Sequence, residues 1–411
     1  MNFTVQIPTD ILSSLVTGRS ADLFLADMEL CSEGIRRNIS GARILVIGGG
    51  GSIGSATVHL LTQFGPRALH VVDQSENKLV ELVRDLRSSP DDFPVADFRT
   101  FPVDYGSPLM HRFLAEMDSY ELVFNFAALK HVRSEKDAYS LLQMLDTNVI
   151  KAANFLGWLA EKSPECKYFC VSTDKAANPV SLMGASKRIM EHLIFSGEVV
   201  PELRSHVTSA RFANVAFSDG SLLDSFLKRL QSRRPLAVPR NTRRYFISLS
   251  EAGQICLIAA VSAPHRHVLI SRLDQSKDLR DLESVACAIL QNIGYEPQFY
   301  EEAAEAKANL EHDIRKGRYP LLLTDRDTSG EKPFEEFVAE GEKVVEIGLP
   351  NLLAVLYLPQ RGSLRVFLET IKKLISDPHA PVNKSDVADL ISKVVPELSH
   401  IASDKNLDDR M

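Results

Sequence analysis

Seven consecutive residues, Gly48-Gly49-Gly50-Gly51-Ser52-Ile53-Gly54, satisfy two glycine spacings at once. Glycines 48, 51 and 54 fit G-x-x-G-x-x-G, while 49, 51 and 54 fit G-x-G-x-x-G. Either spacing turns a strand tightly into a helix whose first amides face a pyrophosphate, and missing Cβ atoms let the phosphate approach. Asp73 lies roughly twenty residues further on, where a carboxylate accepts hydrogen bonds from the adenosine ribose. That acid favours NAD, because it would repel the 2′-phosphate of NADP, which stays the alternative. A helix N-cap at Asp73 or Ser75 is the competing structural reading. Asp104 either faces the adenine or is a plain strand-end carboxylate.

A second group, Ser172-Thr173-Asp174-Lys175, ends an apolar run. Ligands of open α/β sheets bind beyond the carboxyl ends of the strands, so a hydroxyl, a carboxylate and an amine there suit general acid–base work. The plainer reading of Asp174 and Lys175 is an exposed turn. Eight residues past Lys175, Met183-Gly184-Ala185-Ser186-Lys187 places Met183 and Lys187 on one face of a helix.

The elements that must position these residues read as a strand–helix alternation. Arg43–Ile47, Ala68–Val72, Leu122–Phe126 and Tyr168–Ser172 are short apolar runs of the kind buried parallel strands require. Phe98–Val103 is the weakest strand, because Pro102 interrupts it. Helical patterns cover 76–86, about 138–162, 221–231 and 279–293, and residues from Leu352 onward read mostly as helix. The expectation is a Rossmann-type α/β fold, a doubly wound parallel sheet with a smaller substrate-binding region and helical extensions at both ends. Its segments are 1–40 (helical N-terminal extension), 41–217 (NAD(P)-binding Rossmann domain), 218–345 (mainly substrate-binding) and 346–411 (helical C-terminal extension).

Composition narrows the class. The 411 residues are 45% hydrophobic and 25% charged, the balance of a water-soluble globular protein. A net charge of −7 with no long basic run disfavours nucleic acid as main partner. Arg233, Arg234, Arg240, Arg243 and Arg244 form the best local phosphate-binding stretch, with a solvated loop as the alternative. The five scattered cysteines form no disulfide framework or metal site, which points to reduced thiols and a cytoplasmic setting. No stretch approaches the ~18 apolar residues of a membrane span, and the N-terminus lacks a signal-peptide pattern.

The glycine loop, Asn125-Phe126-Ala127-Ala128, Thr147-Asn148-Val149, Ser172-Thr173-Asp174-Lys175 and Lys187 together resemble the extended short-chain dehydrogenase/reductases. Lys130-His131-Val132, Ser172 to Ala176 with Asn178-Pro179, Met183 to Arg188 and Arg211-Phe212-Ala213-Asn214-Val215 resemble the capsular-polysaccharide branch, which contains UDP-N-acetylglucosamine 4,6-dehydratases. Gly330 to Glu336 is similar to that branch's C-terminal signature. The likeness covers about residues 41 to 340.

The resemblance implies a soluble, homo-oligomeric enzyme that binds NAD or NADP and acts on a nucleotide sugar, a lyase that oxidises C4, removes the C5 proton and expels water. Lys175 would take the C5 proton, Asp174 would protonate the departing C6 hydroxyl, and Thr173 would hydrogen-bond the C4 oxygen. Lys187 would hold the nicotinamide ribose. Gly48, Gly51, Ser52, Ile53, Gly54, Asp73, Asp104, Ala127 and Ala128 would complete the cofactor site. Lys130, His131, Asn214, Arg240 and Arg244 would meet the substrate. The alternatives are a nucleotide-sugar epimerase or ketoreductase and a non-catalytic NAD-binding protein.

Four departures stand out. Met183 occupies the usual tyrosine position and has no transferable proton; some dehydratases of the branch share it, and C4 oxidation then needs another base, Asp174 or a water. Ile47 replaces threonine, Ala213 a glycine and Ser329 a proline.

Overall fold

Mostly apolar five-residue runs such as Arg43–Ile47 and Ala68–Val72 are buried at every position and form the middle of a large sheet. The structure, a computed structural model, describes residues 9–88, 93–131, 135–199, 206–325, 332, 334–359 and 363–400. The first half alternates strand and helix. Two N-terminal helices, α1 (Thr9–Thr17) and α2 (Leu25–Ile39), precede β1 (Arg43–Ile47), α3 (Ser52–Thr62), β2 (Ala68–Val72), α4 (Glu76–Ser88), β3 (Asp97–Phe101), α5 (Pro108–Glu116) and β4 (Leu122–Asn125). Then follow α6 (Ala138–Leu145), a π-turn over Asp146–Ile150, α7 (Lys151–Lys162), β5 (Lys167–Thr173), α8 (Leu182–Ser196) and β6 (His206–Phe212). The weak third strand stops at Phe101, one residue before the proline that cannot donate to a ladder.

The second half adds β7 (Asn214–Val215), α9 (Leu222–Gln231), β8 (Leu236–Pro239), β9 (Arg243–Ile247), α10 (Leu249–Ser262), β10 (His267–Ser271) and β11 (Leu279–Asp281). It continues through α11 (Leu282–Asn292), β12 (Glu296–Tyr300), α12 (Ala303–Arg315), β13 (Arg318–Thr324), β14 (Lys343–Val345), β15 (Leu352–Leu356), α13 (Leu364–Ser376) and α14 (Lys384–Val394).

The main sheet has nine strands in the order β14-β15-β10-β6-β5-β4-β1-β2-β3. Strands β1 to β6 and β10 run parallel, and the order reverses direction at β1 and β4, so a crevice opens beyond their carboxyl ends. Leu352–Leu356, which reads as the start of a helical region, is instead a strand antiparallel to β10. Five consecutive apolar residues satisfy either periodicity, and pairing with a buried neighbour decides it. Similarly, Leu279–Asp281 pairs with β9 and the helix begins only at Leu282.

Three apolar cores hold these layers. One packs α5 to α8, α13 and α14 on one face of the sheet; another packs α2, α3, α4 and α10 on the other. A third lies among α9, α11 and the sheet β12-β13-β8, and takes Val16 from α1. Helix α10 is buried almost all round because α2, α3 and β6 enclose it, and a Ser248/Glu251 capping box satisfies its first amides.

Candidate active site

The glycine loop joins β1 to α3 at the crevice. Gly48 N–H donates to Val72 O at 2.7 Å, and Gly51 stands at the N-cap of α3, so no side chain caps the helix. Gly54 is needed for close approach: a Cβ there would lie 2.4 Å from Gly48 O. The Gly54→Ala substitution is therefore expected to push α3 off the loop and weaken dinucleotide binding at least about tenfold, a loss of ~1.4 kcal/mol. Fluorescence titration with NADH checks this.

Asp73 follows β2 directly. One carboxylate oxygen accepts from Gly50 N–H at 3.0 Å and the other from Ser75 N–H at 2.9 Å, so the side chain braces the loop and starts α4 together. Asp104 accepts from Gly106 N–H at 3.0 Å and pairs with Lys151. Asp73, Asp104 and Ala127 line a cleft of about 180 Å³ with Gly48, Gly51 and Ala128. Asn125 fixes the Ala127 backbone through its Oδ1 at 3.0 Å, and Asn148, on the π-turn, bonds both the N–H and the C=O of Leu129.

A second cleft, of about 460 Å³, continues from the glycine loop. Its walls carry Gly48, Gly51, Ser52, Ile53, Gly54, Ala128, Lys130 and His131, then Thr173, Asp174, Lys175, Met183, Lys187 and Asn214. The two separate sequence groups thus share one trough. His131 and Asn214 also border a third cleft of about 620 Å³, which reaches Arg244. Arg240 stands apart, in an exposed pair with Glu301 at 2.7 Å.

At the end of β5, Thr173 Oγ1 donates to Asp174 Oδ1 at 2.8 Å. Lys175 Nζ lies 3.1 Å from the same oxygen. Asp174 Oδ2 is buried with no hydrogen-bond partner among the described residues. The exposed turn expected at Asp174 and Lys175 is not found: Asp174 is only 2% exposed and the Lys175 side chain 24%. The reason is α8, which packs against the turn through Gly184, where a Cβ would lie 2.3 Å from Lys175 O. Burial opposes the charge on Lys175, but Asp174 and a second carboxylate, Glu335, outweigh it and hold the amine above its ordinary range.

Met183 and Lys187 do share a face of α8. Met183 N–H donates to Glu135 Oε1 at 2.9 Å. Lys187 Nζ donates to Val171 O at 2.6 Å, and burial pushes its pKa down, with Cys170 and Glu191 opposing. Glu135 and Glu335 escape the sequence reading. Nothing in the local pattern marks Glu135; Glu335 belongs to the C-terminal stretch noted above, of which residues 330, 331 and 333 lie outside the described residues, as do Val132 and Ser329.

Behind the turn lies a buried ionic network. Ser172 Oγ donates to Glu191 at 2.6 Å, Arg211 bonds Glu191 and Glu342, and Arg188 joins Glu191, Glu342 and Glu397. Burial would raise the Glu191 carboxyl, but Arg211 and Arg188 outweigh it and bring it to about 2.

A nine-stranded Rossmann-type sheet, a glycine loop at its reversal point and Thr173-Asp174-Lys175 with Lys187 at the strand ends define an extended short-chain dehydrogenase/reductase. Residues 44–355 match the model of the family described as polysaccharide biosynthesis protein, and the chain belongs to that family. It is 32% identical over 301 residues to an uncharacterized membrane protein of Methanocaldococcus jannaschii, covering 73% of this chain and 81% of that one. It is 28% identical over 223 residues to the UDP-N-acetylglucosamine 4,6-dehydratase (inverting) of Campylobacter jejuni, covering 53% and 63%. A UDP-glucose 4-epimerase of Rickettsia akari is 23% identical over 350 residues, covering 81% and 94%. The chain spans only 40% of the capsular polysaccharide biosynthesis protein CapD of Staphylococcus aureus, at 30% identity over 60% of its own length. Among solved structures, Pen from Bacillus thuringiensis has the same fold, with a TM-score of 0.63 at 21% identity, covering 78% of this chain and 89% of that one. Among the described residues, no helix is long and apolar enough to cross a membrane.

Proposed function

We propose that this chain is an NAD-dependent nucleotide-sugar 4,6-dehydratase, with a UDP-N-acetylhexosamine as substrate. The observation that carries the reading is the buried Asp174 carboxylate beside the Lys175 amine, opening onto the trough opposite a methionine that cannot titrate. The likeness to the Campylobacter dehydratase supports it. Residues 41–217 would bind the dinucleotide and 218–345 chiefly the sugar nucleotide, with 1–40 and 346–411 as braces in a cytoplasmic homo-oligomer.

The residues present fit a dinucleotide. Close packing at Gly54, an α3 start without a side-chain cap and the Asp73 carboxylate lie along one continuous trough. A dinucleotide held there would supply a reversible hydride acceptor for the oxidation at sugar C4 and the reduction at C6.

The chain's own residues handle the protons. Asp174 Oδ2, which has no partner among the described residues, accepts the proton from the C4 hydroxyl as the ketone forms. The ketone acidifies C5, and neutral Lys175 Nζ removes that proton. Asp174 then passes its proton to the C6 hydroxyl, which departs as water. Lys175 finally protonates C5. The sum is loss of one water with the cofactor unchanged. Because Lys175 must shed its proton first, the rate is expected to rise with pH.

Mass spectrometry of the protein incubated with UDP-N-acetylglucosamine and NAD tests the proposal. Loss of one water without net change in cofactor absorbance is expected. A product of unchanged mass would replace it with the 4-epimerase reading, which the Rickettsia likeness favours. Net consumption of reduced cofactor would indicate a ketoreductase. Tight cofactor binding without turnover on any nucleotide sugar would indicate a non-catalytic NAD-binding protein.

A further inference from the structure

The stretch 334–342, with Lys332, lies across the sheet end as a strap tied down on three sides. On the side of the catalytic turn, Lys332 Nζ donates to Asn178 O at 2.7 Å and Glu340 N–H donates to Asn178 Oδ1 at 3.0 Å. Asn178 itself has a φ of 46°, in the left-handed region that asparagine tolerates better than most residues. On the substrate side, Arg244 donates to Lys332 O at 3.0 Å. Toward the core, Arg211 donates to Phe337 O at 2.8 Å and pairs with Glu342.

Near the start of this strap Glu335 turns inward. It is 4% exposed, and its Oε1 lies 3.7 Å from Lys175 Nζ. We propose that Glu335 is a positioning residue of the proton-transfer site: with Asp174 it holds Lys175 between two carboxylates and governs when that amine becomes a base. The inference rests on the reading of Lys175 as the C5 base.

The charged groups that act on Lys175 include Asp174 from its own turn, Glu335 from the strap and Arg244 from β9. Two carboxylates against one ammonium leave net negative charge once Lys175 is neutral. When Asp174 takes the C4 hydroxyl proton, only Glu335 still opposes deprotonation of Lys175. Asp174 therefore lowers the resistance to Lys175 deprotonation as it becomes the acid, while Glu335 keeps the amine in place throughout. A neutralised Asp174 can still accept a hydrogen bond from the amine, but only Glu335 then keeps a negative charge beside it.

The test needs a readout that does not depend on turnover. Competitive acetylation with acetic anhydride across an alkaline pH series, read by peptide mass spectrometry, follows the neutral fraction of Lys175, whose side chain is 24% exposed. In Glu335→Gln the titration midpoint is expected to fall by about one pH unit, making labelling about tenfold faster at a given pH below the midpoint. The rising limb of the kcat profile should move to lower pH with it. If Glu335→Gln fails to fold, Glu335→Asp, one methylene shorter, should move the midpoint down part of the way. An unchanged midpoint in a folded variant overturns the proposal, even where kcat falls uniformly. A shifted midpoint in a protein that never forms the dehydrated product would retain the Glu335–Lys175 coupling and refute the dehydratase reading instead.

Discussion

Asp174→Asn is expected to reduce the dehydration rate by about 10²- to 10⁴-fold, the contribution of a positioned acid–base group, while NADH binding stays within about twofold. An asparagine keeps the shape of the side chain and can still accept from Thr173 and Lys175 at Oδ1, where the native contacts are 2.8 and 3.1 Å. It cannot carry out either of the two proton transfers proposed for Asp174. Lys175→Gln should lose activity to the same extent, because no other amine stands beside Asp174 in the described structure. It is the less clean variant. Asp174 is buried, so removing Lys175 leaves a carboxylate without its ionic partner, and some loss of stability accompanies the loss of rate. Single-turnover rates and thermal midpoints, measured together, separate the effects. Retention of wild-type rate in either variant would contradict the assignment of roles.

Arg211→Met should have the largest effect on stability, about 3–5 kcal/mol, the cost of removing one member of a buried ionic network. Arg211 is fully buried and donates to Glu191, Glu342 and the carbonyl of Phe337 at distances from 2.6 to 2.9 Å. Without it, two buried carboxylates share only Arg188. Glu191 adds a pH signature. Its folded carboxyl sits near 2, below its ordinary 4.5, so the network stabilises the native state above the ordinary value. That contribution is lost as pH falls from about 4.5 toward 2. Urea titration across acid pH should show this loss in the wild type and a much flatter dependence in Arg211→Met. Equal slopes would mean that Glu191 is not held down by Arg211. Because Arg211 also anchors the strap that carries Glu335, the surviving folded variant should show impaired turnover as well.

The parts legible in the sequence are those set by local rules. A buried strand followed by closely spaced glycines has few other solutions, and the run ending in Thr173-Asp174-Lys175 announces a sheet end because its apolar residues stop where the polar ones start. What was not legible depends on partners far along the chain. Leu352–Leu356 becomes a strand only because β10 offers it an edge about eighty residues earlier. Burial of Asp174 needs α8 to close on the turn at Gly184, which no spacing rule contains. Glu335 reaches Lys175 across 160 residues of sequence, and Arg211 meets Glu342 across 131. Arg240 shows the converse: a basic stretch looks like a phosphate site until folding turns one member outward to Glu301.

The proposed dehydration turns on Lys175, which would remove the C5 proton and return one to the same carbon. Incubating the protein with UDP-N-acetylglucosamine and NAD in D₂O, then locating deuterium in the product by NMR, tests it most directly. The prediction is a product that has lost one water and carries a single deuterium at C5, with neither feature formed by Lys175→Gln. A dehydrated product with no deuterium at C5, or the same labelled product from Lys175→Gln at the wild-type rate, would contradict it.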